Sequence, residues 1–136
     1  MFRIDPKAFV VEPELIRILR KHATLSVREE DGPLFRQDGL PLGLYIFLEG
    51  SVTLSFITED DQSLFSAQAL PGSILGLPAT VSEKPYSLTA TARAGTRICF
   101  VSREDFVRLM ASQPGLPSMI LKVLAIQVHR SRKSLE

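Results

Sequence analysis

Glycine and proline interrupt residues 23–101 at such short intervals that no ordinary helix fits between them. Both residues break helices and favour turns, so the segments between them are predicted to be strands. Two segments alternate apolar and polar residues, as a strand with one buried face does: Ala23, Leu25 and Val27, and then Val52, Leu54 and Phe56. Residues 44–48 are continuously apolar, which indicates a strand buried on both faces. About eight short strands of this kind predict a β-sandwich, barrel or jelly roll.

Helix signals lie at the two ends of the chain. Residues 12–22 predict an amphipathic helix, because a proline stands in the first turn and apolar residues recur at helical spacing. Ser102 is followed three residues later by an aspartate, as in a capping box, which predicts a short helix over 103–112. Residues 117–136 contain no breaker beyond the leading proline and predict one long terminal helix.

The terminal helix carries two apolar stripes, which need two surfaces to cover them. The first stripe consists of Met119, Val123 and Ile126, and the second of Leu121, Leu124, Val128, Ser131 and Leu135. One stripe can dock on the β core of its own subunit, and the simplest surface for the other is the same helix of a second copy. We therefore predict a homodimer; the alternative is a single helix wedged into its own core. The predicted interface residues are Leu121, Leu124, Val128 and Leu135.

The composition limits the chemistry of the chain. Its 136 residues correspond to one domain, residues 1–136, and 45% of them are hydrophobic, which is enough for a packed core. Sixteen basic and fifteen acidic residues create no strong field toward nucleic acid or an anionic membrane. Cys99 is the single cysteine, and the two histidines, His22 and His129, lie near opposite ends, so a zinc site or a cupin-like metal centre lacks ligands. We predict no catalytic residues, no metal and no enzymatic activity.

Targeting signals are not visible in the sequence. The first residues include Asp5, Pro6 and Lys7 where a signal peptide is apolar, and no apolar run approaches the roughly 18 residues of a membrane span. With one cysteine no disulfide can form within the chain, which favours a reducing compartment. We therefore expect a soluble cytoplasmic protein without membrane contact.

An ordered set of motifs runs through the chain. These motifs are residues 34–39, residues 44–52, Pro71 with Gly72, then Gly76, and finally Phe106. Together with the order helix, β-rich middle, short helix and long helix, the set resembles the cyclic nucleotide-binding domain of the Crp/Fnr regulators over nearly the whole chain. The resemblance implies a mainly β fold, a double-stranded β-helix (jelly roll) with a flanking N-terminal helix and a long C-terminal dimerisation helix. It also implies a non-enzymatic sensor that couples a small effector to that helix.

The phosphate-binding cassette departs from the pattern of the family. In the family the glutamate of a Gly-Glu pair holds the ribose 2′-hydroxyl, and the arginine of Pro-Arg-Ser or Pro-Arg-Thr holds the cyclic phosphate. Within residues 72–87, Leu77 stands in place of the glutamate and Tyr86 in place of the arginine, whereas Ser87 keeps the hydroxyl. Losing the charged partner of a buried phosphate costs about 2–5 kcal/mol, and losing a hydrogen bond to a charged group about 1.5–3 kcal/mol. A micromolar site would become millimolar, so we predict that tight cyclic AMP binding is lost.

Two interpretations of this altered cassette remain open. A leucine and a tyrosine make the inferred pocket more apolar and aromatic, which suits an uncharged or aromatic effector. Alternatively, Leu77 and Tyr86 fill the pocket, and the chain is a dimerisation or protein-interaction module. The candidate ligand-binding residues, of which the last is implied by the resemblance of the terminal helix, are Gly76, Leu77, Pro78, Ala79, Tyr86, Ser87 and Ser131. No cofactor is predicted apart from such an effector.

The Crp/Fnr regulators continue past the long helix into a winged helix-turn-helix domain, whereas this sequence ends at Glu136. The basic residues near that end are too few for a duplex footprint. We expect no direct nucleic-acid contact by these residues, and either a free-standing sensor or a regulator whose DNA-binding part follows.

Overall fold

The computed structural model describes residues 4–58, 60 and 64–135, with side chains as far as residue 127. Eight strands lie within these residues: β1 (Thr24–Val27), β2 (Gly32–Phe35), β3 (Gly43–Glu49), β4 (Val52–Ile57), β5 (Leu64–Gln68), β6 (Ser73–Leu75), β7 (Thr89–Ala92) and β8 (Arg97–Ser102). The helices are a short 3-10 helix (Pro6–Phe9), α1 (Pro13–Arg20), α2 (Leu77–Ser82), α3 (Arg103–Ser112) and α4 (Leu116–Leu135). The structure thus places a β-rich middle between helical ends.

The strands form two antiparallel four-stranded sheets, with the orders β1-β8-β3-β6 and β2-β7-β4-β5. Most neighbours in the sheets are distant in the chain, since β8 lies between β1 and β3, and β7 lies between β2 and β4; among the described strands only β4 and β5 are consecutive. This crossing of the chain between two sheets is the arrangement of a jelly roll. The prediction of a mainly β jelly roll with flanking helices is confirmed.

Strand β3 carries the continuous apolar run and contributes to both sides of its sheet. Leu44 and Ile46 belong to a core cluster that also contains residues of α1, α3 and α4. Phe47 belongs to a second cluster, inside the roll between the two sheets, and Tyr45 packs against that cluster. Because successive side chains of a strand point to opposite faces, β3 holds the helical layer and the roll together. The expectation of a strand buried on both faces is confirmed.

The edge strand β1 differs from its prediction. Alternation at Leu25 and Val27 predicted one buried face, yet these side chains are 46% and 54% exposed. β1 pairs only with β8 and forms the outer edge of its sheet. Because the core does not extend beneath this edge, the apolar residues of the alternating pattern, Leu25 and Val27, are not buried.

The helix bounds follow local chemistry. α1 starts at Pro13 and ends at Arg20, two residues before the end predicted for the segment 12–22, because Lys21 and His22 continue as a turn. α4 starts at Leu116, one residue earlier than predicted for 117–136, so Pro117 occupies a first-turn position that needs no N–H donor. The Ser102 hydroxyl accepts a hydrogen bond from the Asp105 N–H at 3.1 Å and caps α3. No helix in the described part of the chain is long and apolar enough to cross a membrane.

Candidate effector site

The cassette begins with a sharp turn between β6 and α2. Gly76 lies there at φ +85°, in the left-handed region that glycine adopts without strain. A Cβ at Gly76 would lie 2.9 Å from Cε1 of Tyr86 and 3.3 Å from the carbonyl oxygen of Gly43. The glycine therefore permits both the turn and the close approach of the Tyr86 ring.

Leu77, which the resemblance places at the position of the family's glutamate, is fully buried. Its side chain belongs to the cluster that contains Leu44, Ile46 and Phe106, on the helical side of the sheet. An ionised carboxylate in this apolar environment would lose its hydration without gaining a partner. Leu77 therefore contributes to the core.

Tyr86, which the resemblance places at the position of the family's arginine, is turned inward and is only 4% exposed. Its hydroxyl donates a hydrogen bond to the carbonyl oxygen of Gly43 at 2.5 Å and accepts one from the N–H of Gly43 at 3.1 Å. Its ring stacks on Phe35, with centroids 4.1 Å apart and planes 19° apart. The backbone is fixed as well, because the Tyr86 N–H donates to Gly39 at 3.1 Å and the Asp38 N–H donates to Tyr86 at 2.8 Å. Both the donor and the acceptor of the hydroxyl are used within the chain.

A small cavity of about 40 Å³ remains beside the Tyr86 ring. Sites for small molecules usually measure about 300–1,000 Å³, so this space holds only a few water molecules. Five of the predicted ligand-binding residues line it: Gly76, Pro78, Ala79, Tyr86 and Ser87. The other described lining residues are apolar: Phe9, Phe35, Leu54, Leu75 and Leu88. The structure thus brings these five together, places Leu77 in the core beside them, and leaves the side chain of Ser131 outside its described residues.

The charged residues of the cassette lie outside the lining of this cavity. None of the described residues that line the cavity is charged, so a phosphate would find no cation there. Glu83, which ends α2, forms an ion pair with Arg103 at the start of α3. The described part of the chain also contains no group of three or more His, Cys, Asp or Glu placed to hold a metal ion.

Burial governs the titration of the two tyrosines of the chain. It raises the pKa of Tyr86, against a smaller lowering by backbone hydrogen bonds from Gly43 and Leu42. Burial also raises the pKa of Tyr45, to which the proximity of Tyr86 adds, while Arg28 lowers it. Both phenols are therefore neutral at physiological pH, and the Tyr86 hydroxyl is able to donate to Gly43.

The raised pKa of Tyr86 predicts a loss of stability at alkaline pH. A phenol whose pKa is higher in the folded chain than its ordinary value of about 10 stabilises the fold fully below that value, and the contribution is lost as pH rises through the folded pKa. The stability gap between the wild type and Tyr86→Phe should therefore narrow above about pH 10. Urea unfolding of both proteins from neutral to alkaline pH measures this gap. Tyr45 is present in both proteins, so its titration does not change the difference between them. A difference in the free energy of unfolding that stays constant with pH would contradict the expectation.

Two contacts of the site could not be recognised in the sequence. Gly43 and Tyr86 are 43 residues apart, and neither position carries a local signal that it pairs with the other. Phe35 lies within the motif 34–39, but only the fold shows that its ring stacks on Tyr86. The left-handed Gly76 was the one local signal of a close approach.

The terminal helix docks through a face that the two predicted stripes flank. Leu116 and Ile120, which belong to neither stripe, are its most deeply buried apolar residues. Met119 and Val123 of the first stripe pack partly against the same core, as predicted for one stripe, and so does Leu124 of the second, whereas Leu121 is 67% exposed. The side chains of the other predicted interface residues, Val128 and Leu135, lie outside the described residues. Periodicity thus identified part of the docked face, Met119 and Val123, but missed its most deeply buried residues.

Sequence comparison identifies one family. A family model described as the cyclic nucleotide-binding domain matches residues 25–113, which is more than half of the chain. No curated protein sequence matches the chain significantly.

Solved structures share the fold. The catabolite activator protein of Thermus thermophilus has a TM-score of 0.78 at 23% identity, covering 96% of this chain and 62% of that one. The N-terminal domain of a transcriptional regulator from Streptomyces coelicolor A3(2) has a TM-score of 0.68 at 18% identity, covering 93% and 88%. The sensor domain of the transcriptional regulator DNR from Pseudomonas aeruginosa has a TM-score of 0.62 at 17% identity, covering 88% and 78%. This chain thus spans less than two thirds of the Thermus protein.

The matched residues 25–113 contain the whole cassette and seven of the eight described strands in full. They form the two-sheet roll that the solved regulators share. The chain therefore belongs to the cyclic nucleotide-binding domain family, which confirms its resemblance to that domain of the Crp/Fnr regulators.

Proposed function

We propose that this chain is a non-enzymatic regulatory domain of the Crp/Fnr type whose nucleotide pocket is occupied by its own side chains, and which acts by pairing α4 with a second copy. The observation that carries the proposal is the inward position of Tyr86, whose ring and hydroxyl are satisfied within the chain. A domain of this kind holds a fixed conformation and does not respond to cyclic nucleotides. A cytoplasmic location and the lack of direct nucleic-acid contact remain predictions from the sequence.

Energetics support the filled pocket. Admission of a cyclic nucleotide requires Tyr86 to leave, which breaks two hydrogen bonds worth about 0.5–1.5 kcal/mol each. It also ends a ring stack worth about 0.5–1.5 kcal/mol and exposes a buried ring to water. The phosphate would gain no cation in return, since the described lining of the cavity is uncharged. The closed arrangement is therefore favoured over a nucleotide complex.

Leu121 is the described residue that most favours a second copy as the partner of α4. It is the most exposed large apolar side chain in the described part of the helix, and it is not among the residues that dock on the chain itself, such as Leu116 and Ile120. In a twofold dimer each interface residue occurs once in each subunit, so two copies of Leu121 become buried. Burial of each leucine contributes about 1.5–3 kcal/mol to the free energy of dimerisation. Leu121→Glu should therefore raise the dimer dissociation constant at least about 100-fold, as measured by sedimentation velocity over a concentration series.

Val107→Glu provides the matched control for this experiment. Val107 is also an exposed apolar residue on a helix, but it lies on α3. The proposal predicts a dimer for the wild type and for Val107→Glu, unchanged by added cyclic AMP, and a monomer for Leu121→Glu. A wild-type chain that is monomeric at every concentration would refute the dimer.

A second candidate function is a sensor for a small uncharged effector. It is favoured by the cavity of about 40 Å³ next to Tyr86, where the Ser87 hydroxyl is available at the wall. An effector there would have to displace the Tyr86 ring, and its differential affinity would shift the position of the cassette and thereby of α4. A thermal-shift screen with small uncharged metabolites distinguishes the candidates. A saturable rise in Tm favours the sensor, whereas an empty screen with a stable dimer favours the filled pocket.

A further inference from the structure

Three separate segments of the chain surround the Tyr86 side chain as a binding site surrounds a ligand. Phe35 at the end of β2 covers one face of the ring, with centroids 4.1 Å apart. Gly43 at the start of β3 binds the hydroxyl through both its carbonyl oxygen and its N–H. Gly76, at the turn before α2, leaves room for the ring edge that a Cβ would meet at 2.9 Å. These contacts come from Phe35, Gly43 and Gly76, which lie outside the segment that carries Tyr86. The shape of the site therefore does not depend on the Tyr86 backbone.

We propose that Tyr86 is a tethered ligand and that the site it occupies recognises phenols, so that a free phenol occupies the site when the Tyr86 side chain is removed. The inference rests on the proposed function in one respect, namely that the cassette is filled by the chain itself. It adds the chemical class that the filled site accepts.

The geometry selects a phenol over other small aromatic molecules. Gly43 offers a donor and an acceptor to one atom, and only a hydroxyl both donates and accepts at a single oxygen. An aromatic hydrocarbon would leave both backbone groups buried without partners, which is unfavourable. A phenolate could not donate to the carbonyl oxygen, and the uncharged lining offers it no cation. The site therefore favours a neutral, flat ring that carries one hydroxyl.

Occupancy of this site is connected to the helical layer. Leu42, next to Gly43, accepts a hydrogen bond from the N–H of Arg103 at 3.0 Å. The Arg103 side chain forms the ion pair with Glu83 at the end of α2. A ring held between Gly43 and Gly76 thus fixes the start of β3 and the turn before α2, and through Leu42 and Arg103 these segments are connected to α2 and α3. Removal of the ring is expected to loosen this connection, and a free phenol is expected to restore it.

The test uses the full chain with Tyr86→Ala and p-cresol, whose methyl group, ring and hydroxyl reproduce the tyrosine side chain from Cβ outward. Titration calorimetry and thermal unfolding should show saturable binding at millimolar p-cresol or below and a concentration-dependent rise in Tm. Toluene, which lacks the hydroxyl, should bind at least about tenfold more weakly. The wild type should not respond to p-cresol over the same range. Equal binding of p-cresol and toluene, or no binding of either, would overturn the proposal.

Tyr45→Ala is the matched control variant. Tyr45 is the other tyrosine, and its ring also contacts aromatic neighbours, with its centroid 4.9 Å from that of Phe100. Its hydroxyl does not form the two hydrogen bonds with Gly43 that the Tyr86 hydroxyl forms. We therefore expect that p-cresol does not raise the Tm of Tyr45→Ala. An equal rise in this variant would show non-specific filling of cavities and would also overturn the proposal.

Folding of the variant does not limit the test. If Tyr86→Ala is unfolded on its own, the same titration is followed by circular dichroism. The proposal then predicts refolding by p-cresol and not by toluene, and a chain that remains unfolded at saturating p-cresol refutes it. Cyclic AMP binding to the wild type would refute the proposed function, whereas a failure of p-cresol alone would leave that function standing.

Discussion

Replacement of Tyr86 with alanine is expected to lower the free energy of unfolding by about 3–5 kcal/mol, the range for large aromatic residues in protein cores. The ring is 4% exposed, stacks on Phe35 and gives its hydroxyl to Gly43, so the substitution creates a cavity and leaves two backbone groups without partners. Domains of this size have a total stability of about 5–15 kcal/mol, so the loss is a large fraction of it. Chemical denaturation of the two proteins measures the difference.

Tyr86→Phe separates the ring from the hydroxyl. It keeps the stack on Phe35 and removes only the pair of hydrogen bonds to Gly43, so a loss of about 1–3 kcal/mol is expected. A loss below about 1 kcal/mol for Tyr86→Ala would mean that the side chain is not part of the core and that the pocket is open.

Replacement of Gly43 with alanine is expected to cost about 3 kcal/mol or more, because the added Cβ has no space. It would lie 2.3 Å from the carbonyl oxygen of Val101 and 2.8 Å from two ring carbons of Phe100. Both residues belong to β8, which pairs with β3 in the middle of its sheet, so relief requires the two strands to separate. Chemical denaturation again measures the loss.

Gly32→Ala is the control for the glycine substitution. Gly32 also lies in a strand, β2, but a Cβ there would meet nothing within 4 Å and its φ is not positive. The free energy of unfolding of Gly32→Ala should stay within about 0.5 kcal/mol of that of the wild type. A similar cost for both variants would indicate a general effect of glycine in strands and would refute the close approach of β3 and β8.

Much of the fold follows from local patterns in the sequence. Glycine and proline interrupt the middle of the chain, which excludes long helices there and leaves short antiparallel strands. The apolar run 44–48 is continuous because β3 faces the helical layer on one side and the roll on the other. The capping signal at Ser102 is local as well, since its hydroxyl meets an N–H three residues along the chain. Such features depend on near neighbours and can therefore be predicted.

The parts that the sequence did not reveal depend on contacts between distant residues. The alternation of Leu25 and Val27 suggested burial, but an edge strand with no core beneath it stays exposed. Periodicity in α4 identified Met119 and Val123, which pack against the core, but not Leu116 and Ile120, which are buried most deeply there. The tyrosine at position 86 predicted the loss of a nucleotide contact, and only the fold shows that its ring turns inward to Gly43.

The measurement that tests the central claim most directly is calorimetric titration of the purified wild-type chain with cyclic AMP and cyclic GMP. A pocket filled by Tyr86, with no cation in its described lining, predicts no binding heat up to millimolar nucleotide. Micromolar binding of either nucleotide would contradict the account, because it would require Tyr86 to leave its site and an uncharged pocket lining to hold a phosphate.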